Sequence, residues 1–419
     1  MSNCGIICWV IELRVVFISP HSDPLAELGT PDSGGQCVYE KELARHLSFL
    51  DGVDEVIVFT RWYRGKNLFD SIDSKVKVLR IPAGPEEFIR KEKLSPYLDE
   101  FSERLIEKLE DNPPDVIHSH YWDGGVVGLR IQEYFKVPHV FTFHSIGKLK
   151  ANVIRSDYRE RIKNEERIVK NVDLIVALTE IERKDISRLY SVPPDKIVVV
   201  PAGTEELKVP SEDEIESYRR KFLKGADYLL ISLGRIDKRK GFRELVRAVH
   251  ILKNITKRHN KKVRLVISGG KDEEEDPEEK REKENLKNLI HHLGLSDTVE
   301  IISRFERNFL PIFLSVGDVL VVPSLYEPFG LVVVEGLSIG AIVAATVHGG
   351  PREIVKDGWN GFLIDPLNEE KTAKKIWKIL TLPESEKNRI KKNAKESAKA
   401  YYWRNIATKI FEIYKNLVG

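Results

Sequence analysis

Residues 319–340 read VLVVPSLYEPFGLVVVEGLSIG. The opening VLVV is short, apolar and mostly β-branched, as a buried strand is, and Leu331 to Ile339 is apolar over more than two helical turns. Pro328 and Gly330 punctuate the chain between the two. Strand, loop and buried helix in that order predict an α/β fold with a parallel sheet. The same stretch places chemistry. Glu327 falls in the loop and Glu335, seven residues intervening, about one turn inside the helix, so one carboxylate can reach a sugar and the other a ribose. The amides of Phe329, Gly330 and Leu331 at the helix start form an anion site. Together these groups suggest a nucleotide sugar as ligand.

The pattern extends in both directions. Apolar runs at 15–19, 53–60, 76–82, 115–120, 139–145, 173–179 and 196–203 alternate with helix-length amphipathic segments, and a second series follows at 228–236, 263–270, 298–303, 319–324, 341–346 and 361–366. Two Rossmann-like parallel-sheet domains facing an interdomain cleft account for the two series. The expected limits are 14–206 for the first and 207–397 for the second, with an amphipathic helix at 398–419. A chain of 419 residues is also long for one core.

Composition narrows the class. The chain is 42% hydrophobic and 32% charged with a net charge of +2, which gives no reason to expect nucleic acid or an anionic membrane as partner. Three cysteines, Cys4, Cys8 and Cys37, make no disulfide framework, and a reducing cytoplasm fits them. Two glutamines and one methionine among many lysines and glutamates lean towards a thermostable protein. MSNCGIICWVIEL (1–13) is too short to span a bilayer and lacks signal-peptide features, so it is expected to be a dispensable extension or a mis-assigned start. The acidic and basic run at 269–294 reads as a solvated charged loop entering a helix.

Two further stretches carry candidate groups. In GRIDKRKGF (234–242), Arg235 and Lys240 follow a strand, and a fork-shaped guanidinium with a point-charge ammonium suits a diphosphate. In SPHSDPLAELGTPDSGGQCVYEKELARHL (19–47), Gly34 and Gly35 open a helix whose buried face is marked by Val38, Leu43, Ala44 and Leu47. A glycine pair there lets a substrate approach the backbone. His118 and His120 are set aside as a metal pair on the expectation that they face opposite sides of their strand.

The blocks VVPSLYEPFG and HGGPREIVKDGWNGFLIDP (348–366), the Arg235/Lys240 spacing and the string D-x-GGQ-x-VY (32–39) resemble the retaining glycosyltransferases of GT-B fold with the E-x7-E motif, most like the sucrose-phosphate synthase branch. The resemblance implies that Arg235 and Lys240 hold the diphosphate, that Glu335 accepts the ribose hydroxyls, and that Glu327 with Phe329, Gly330 and Leu331 contacts the donor sugar, with Gly35 also on the donor side. It implies an acceptor site of Gly34, Gln36, Lys91, Tyr121, Ser145, Lys150 and Arg161, with His144 facing the reaction centre. The last helix is implied to cross back to the first domain.

The expected reaction moves a hexose, glucose foremost, from a nucleoside diphosphate sugar to a phosphorylated small sugar or polyol with retention. Arg235 and Lys240 would stabilise the leaving group, and Glu327 and His144 take no covalent role. No cofactor is required; Mg2+ is open but not indicated, because no Asp-x-Asp pair stands at a strand end. Two alternatives stay open: an unphosphorylated acceptor such as a glycerate, lipid-linked sugar or glycan, and a nucleotide-sugar binding protein without turnover. Oligomeric state, donor base and linkage are not legible.

Overall fold

The computed structural model describes residues 12–27, 32–153, 158–270 and 277–419. The extension expected at 1–13, apart from Glu12 and Leu13, and the acidic run 271–276 lie outside the described residues.

The first sheet contains β1 (Leu13–Ile18), β2 (Val53–Trp62), β3 (Phe69–Ser71), β4 (Val76–Pro82), β5 (Val116–His120), β6 (His139–Thr142), β7 (Leu174–Ala177) and β8 (Ile197–Val199). Their spatial order is β3-β4-β2-β1-β5-β6-β7-β8, parallel throughout except for the β3–β4 pair. The second sheet contains β9 (Tyr228–Leu233), β10 (Val263–Ser268), β11 (Val299–Ile302), β12 (Val319–Val322), β13 (Val343–Thr346) and β14 (Phe362–Ile364), in the order β11-β10-β9-β12-β13-β14 and wholly parallel. Each run read as a strand is one, and the expected α/β architecture of two Rossmann-like sheets is what the chain forms.

Topology decides where ligands bind. In an open parallel sheet the connections reverse direction at one strand, leaving a crevice beyond the carboxyl ends there. In the first sheet β1 sits between β2 and β5; in the second, β9 sits between β10 and β12. The segments leaving β1, β5 and β6 carry Ser19, Tyr121 and His144, and those leaving β9 and β12 carry Arg235 and Glu327.

The helix Trp403–Val418 buries Trp403, Ile406, Ala407, Ile410, Phe411 and Tyr414. It lies against the helix Gly35–Ser48 of the first half, with the rings of Tyr39 and Trp403 5.5 Å apart. The chain enters it beside the interdomain connection: Thr204 N donates to Tyr401 O at 2.7 Å and Trp403 N to Thr204 O at 3.2 Å. One buried apolar cluster joins Val15, Leu43, Leu229, Leu337 and Ile406, so both sheets and the last helix share it. Among the described residues no helix is long and apolar enough to cross a membrane.

Candidate active site

On the β9 side, Asp237 caps the turn Lys238–Lys240 by accepting from Lys240 N at 3.1 Å. Gly241 follows with φ +68°, and a Cβ there would lie 2.0 Å from Pro323 O, so only glycine lets this turn press on the loop after β12. The approach delivers Lys240 Nζ to Glu327 Oε2 at 2.6 Å, and Ser324 Oγ donates to the same oxygen at 3.1 Å. Arg239 donates to Tyr326 O at 3.1 Å and stands 3.8 Å from Glu327. Burial alone would raise the Glu327 carboxyl, but Lys240 and Arg239 outweigh it and hold the group below the usual carboxylate range.

The helix after this loop runs Leu331–Ile339 behind a left-handed Gly330, as the sequence suggests. Glu335 is buried inside it and ion-paired with Arg307. The 348–366 block closes the loop from the other side, with Gly350 N donating to Glu327 O at 2.8 Å.

Arg235 lies 3.6 Å from Glu279, whose other oxygen accepts Ile236 N at 2.8 Å. Glu279, Glu282 and Lys283 belong to the run read as solvated, and all three are buried. The run does enter a helix, as expected, but that helix is not solvated on every side. Charge density hid an inward face of the helix Pro277–His292 that braces the Arg235 loop, Glu282 pairing with Arg243.

Across the cleft, Arg161 gathers the acceptor candidates. Its Nε donates to Glu165 at 2.7 Å, Nη1 to Tyr121 Oη at 2.6 Å, and Nη2 to the Ser145 carbonyl and to Ser145 Oγ, the latter at 3.1 Å. The guanidinium is buried and bonds through all three of its nitrogens, so it acts as a bracket. Both hydroxyls accept from it, which leaves their own protons to point elsewhere. Lys150 has no carboxylate partner among the described residues, and burial with the charges of Arg161, Lys91 and Arg239 pushes its pKa down to about 8. Lys91 is ion-paired with Asp32. Gln36 turns its amide to Ser19 Oγ and Glu40 Oε1, at 3.0 and 2.8 Å.

Asp32, Tyr121 and His144 all have φ near +60°. Of the other non-glycine residues with positive φ, Lys136, Ser191 and Lys224 end helices, where such geometry is routine. The three at the cleft have no such role, and strain of this kind concentrates at functional sites.

His118, His120 and His144 form a stack behind the acceptor residues. The rings of His118 and His120 lie 4.4 Å apart on one face of β5, which overturns the expectation that they point apart; residues two apart on a strand share a face. His120 Nδ1 is 3.1 Å from His144 Nε2, and His118 bonds Tyr414 of the last helix at 2.6 Å. Burial pushes the His144 ring down to about 3, so it is neutral. Glu40, fully buried beside them, is pushed up to about 8 by burial. Apolar periodicity passes over a glutamate on a buried helix face, so the sequence pattern does not single out Glu40.

The two halves touch at Gly35 and at the start of the helix Glu180–Tyr190. A Cβ on Gly35 would fall 3.2 Å from Leu331 Cδ1, and Glu353 accepts from the amides of Glu180 at 2.8 Å and Ile181 at 2.5 Å.

Comparison with known proteins gives this geometry a lineage. Residues 214–397 match the model of the glycosyl transferases group 1 and residues 33–206 that of glycosyltransferase family 4. The chain is 31% identical over 375 residues to mannosylfructose-phosphate synthase of Agrobacterium fabrum, covering 85% of this chain and 81% of that protein. It is 32% identical over 416 residues to D-inositol 3-phosphate glycosyltransferase of Xylanimonas cellulosilytica, covering 96% of each. The structure of sucrose-phosphate synthase from Thermosynechococcus elongatus superimposes with a TM-score of 0.85 at 28% identity, covering 97% of this chain and 99% of that one.

Proposed function

The chain belongs to the group 1 glycosyltransferases, and on that premise we propose that it moves a hexose, glucose foremost, from a nucleoside diphosphate sugar to a hydroxyl of a phosphorylated small sugar or polyol, with retention at the anomeric carbon. The observation that carries the acceptor class is the Arg161 bracket. It turns the Tyr121 and Ser145 hydroxyl protons away from itself, beside a Lys150 ammonium without a carboxylate partner among the described residues. Hydroxyl donors next to a cation are what a phosphate monoester needs. Lys91 and Arg161 complete the acceptor set, with Gly34 and Gln36 at the helix start. All three relatives described above carry a phosphate in their names, which supports the same class.

On the donor side, Arg235, Lys240 and the amides of Phe329, Gly330 and Leu331 take the diphosphate, Gly35 approaches it from the facing domain, and Glu335 takes the ribose. Lys240 has three ammonium protons, so one can stay on Glu327 while others reach a phosphate oxygen. As the leaving group departs, its growing charge falls on this preorganised set. Glu327 is held by Lys240 and orients the sugar, and neutral His144 meets the reaction centre without carrying charge.

The test is release of nucleoside diphosphate by purified protein across UDP-, ADP- and GDP-glucose, each with hexose phosphates, inositol phosphate and their unphosphorylated counterparts. Release with phosphorylated acceptors supports the reading, and an α-linked product by NMR supports retention. Release only with unphosphorylated acceptors replaces the acceptor class; no release with any pair leaves a binding protein.

A further inference from the structure

We propose that Glu40 is a positioning residue for the sugar acceptor: it fixes the side-chain amide of Gln36 so that the Gln36 carbonyl oxygen faces the cleft and takes a hydrogen bond from an acceptor hydroxyl. The hydroxyl rests on the transfer reaction proposed above; the fixed amide does not.

Glu40 lies one turn after Gln36 on the helix Gly35–Ser48, and Ser19 follows the end of β1. Glu40 and Ser19 are fully buried. Gln36 Nε2 donates to Glu40 Oε1 at 2.8 Å and to Ser19 Oγ at 3.0 Å, while Ser19 Oγ gives its own proton to Glu40 Oε1 at 2.6 Å. An amide nitrogen carries two protons, so both are committed. The carbonyl oxygen of Gln36 has no partner among the described residues, and Gln36 is partly exposed where its two partners are not. It therefore projects away from the buried pair, at the helix start where Gly35 approaches Leu331 of the other half.

Reversing the amide would set the Gln36 carbonyl against Glu40 Oε1, which already takes the Ser19 proton, and would forfeit both bonds from Nε2. Because Oε1 accepts twice, the proton that burial favours on this carboxyl, with its pKa pushed up to about 8, sits on Oε2. Neutral or ionised, Oε1 remains an accepting oxygen, and the amide is held in the same sense on both sides of that value. A carbonyl oxygen only accepts, so the ligand group that meets it is a donor: a sugar or polyol hydroxyl fits, and an ionised phosphate oxygen does not. The two ends of the sugar acceptor are thereby told apart, phosphate towards Lys150 and hydroxyl towards Gln36.

The test uses the fact that Gln36 and Gln132 are the only glutamines in the chain. Protein labelled with nitrogen-15 at the glutamine side chain gives one NH2 signal for each, and Gln132→Ala tells which is which. The Gln36 protons should exchange with solvent at least about tenfold more slowly in wild type than in Glu40→Leu, which removes the accepting oxygen yet suits a buried helix face. Glu40→Gln keeps an accepting carbonyl and should restore most of the protection. Equal exchange in wild type and Glu40→Leu would overturn the proposal. Should Glu40→Leu not fold, the wild-type signal decides: exchange at the rate of free glutamine rejects the fixed amide, and exchange at least about tenfold slower supports it. The second measurement is kcat/KM for an acceptor that the transfer assay shows to be turned over. Glu40→Leu and Gln36→Leu should each lower it by about tenfold at unchanged donor KM, the scale of one hydrogen bond, and the double variant should lose no more than Gln36→Leu alone. Additive losses would show that Glu40 does not act through Gln36. The exchange measurement needs neither acceptor nor turnover, so failure of the transfer reading and failure of this one are separable.

Discussion

Lys240 and Glu327 are joined at 2.6 Å across two loops that leave different strands of the second sheet, so one donor-side candidate positions the other. Removing the lysine alone strands a buried carboxylate. Lys240→Met should therefore lose stability towards the lower end of about 3–5 kcal/mol, because Ser324 and Arg239 remain near Glu327. Adding Glu327→Gln should recover part of the loss, as a double-mutant cycle in urea would measure. The Glu327 carboxyl is held below its unfolded value of about 4.3, so this stabilisation is present above that pH and lost as pH falls through the folded value. Additive single losses at neutral pH would show that the pair is not coupled.

Lys150, lowered to about 8 by burial first and neighbouring cations second, ties acceptor recognition to pH. The acceptor KM should rise as pH passes through about 8 and the ammonium is lost, while the donor KM stays flat; Lys150→Arg should abolish the rise. Stability runs the other way. Between about 8 and the unfolded lysine value of about 10.4 the unfolded chain holds a proton that the folded chain has released, so this residue makes the fold relatively more stable as pH climbs. Parallel pH profiles in wild type and Lys150→Arg would contradict both.

Much of the architecture is legible in the sequence because buried parallel strands are continuous apolar runs, and VVFIS, VLVV and AIVAAT show little else. The strand Phe69–Ser71 is not legible, since it is three residues long, antiparallel and mostly exposed at a sheet edge. At the site, Glu327, Glu335, Arg235 and Lys240 stand out by type and spacing. Their partners do not. Glu279 sits in a charged run, Asp32 meets Lys91 from 59 positions away, and Arg307 reaches Glu335 from 28 positions away, so only the fold brings them together. For His118 and His120 the two-residue period of a strand puts both rings on one side, so their pairing is legible in the spacing itself.

Tyr414 on the last helix bonds His118 in the first sheet at 2.6 Å, with both side chains fully buried. Tyr414→Phe keeps the ring and leaves His118 Nδ1 unsatisfied, which should cost about 1–3 kcal/mol in denaturant unfolding. A variant as stable as wild type would show that the contact carries no load.

Glu353 reaches from the second half to the first turn of the helix Glu180–Tyr190 in the first, a carboxylate on free amides. By analogy with a helix cap, Glu353→Ala should weaken closure by about 0.5–2 kcal/mol. The ligand-free protein should then show a larger radius of gyration by small-angle scattering, and both substrates a higher KM. An unchanged radius would mean that this contact does not hold the halves together.

Acceptor choice turns on the phosphate. The most direct measurement is kcat/KM for one phosphorylated acceptor and its dephosphorylated counterpart, in wild type and in Lys150→Met. Wild type should strongly prefer the phosphorylated acceptor, and the preference should collapse by at least about tenfold in the variant while the donor KM is unchanged. Equal preference in the two proteins, or a wild type indifferent to the phosphate, would contradict it.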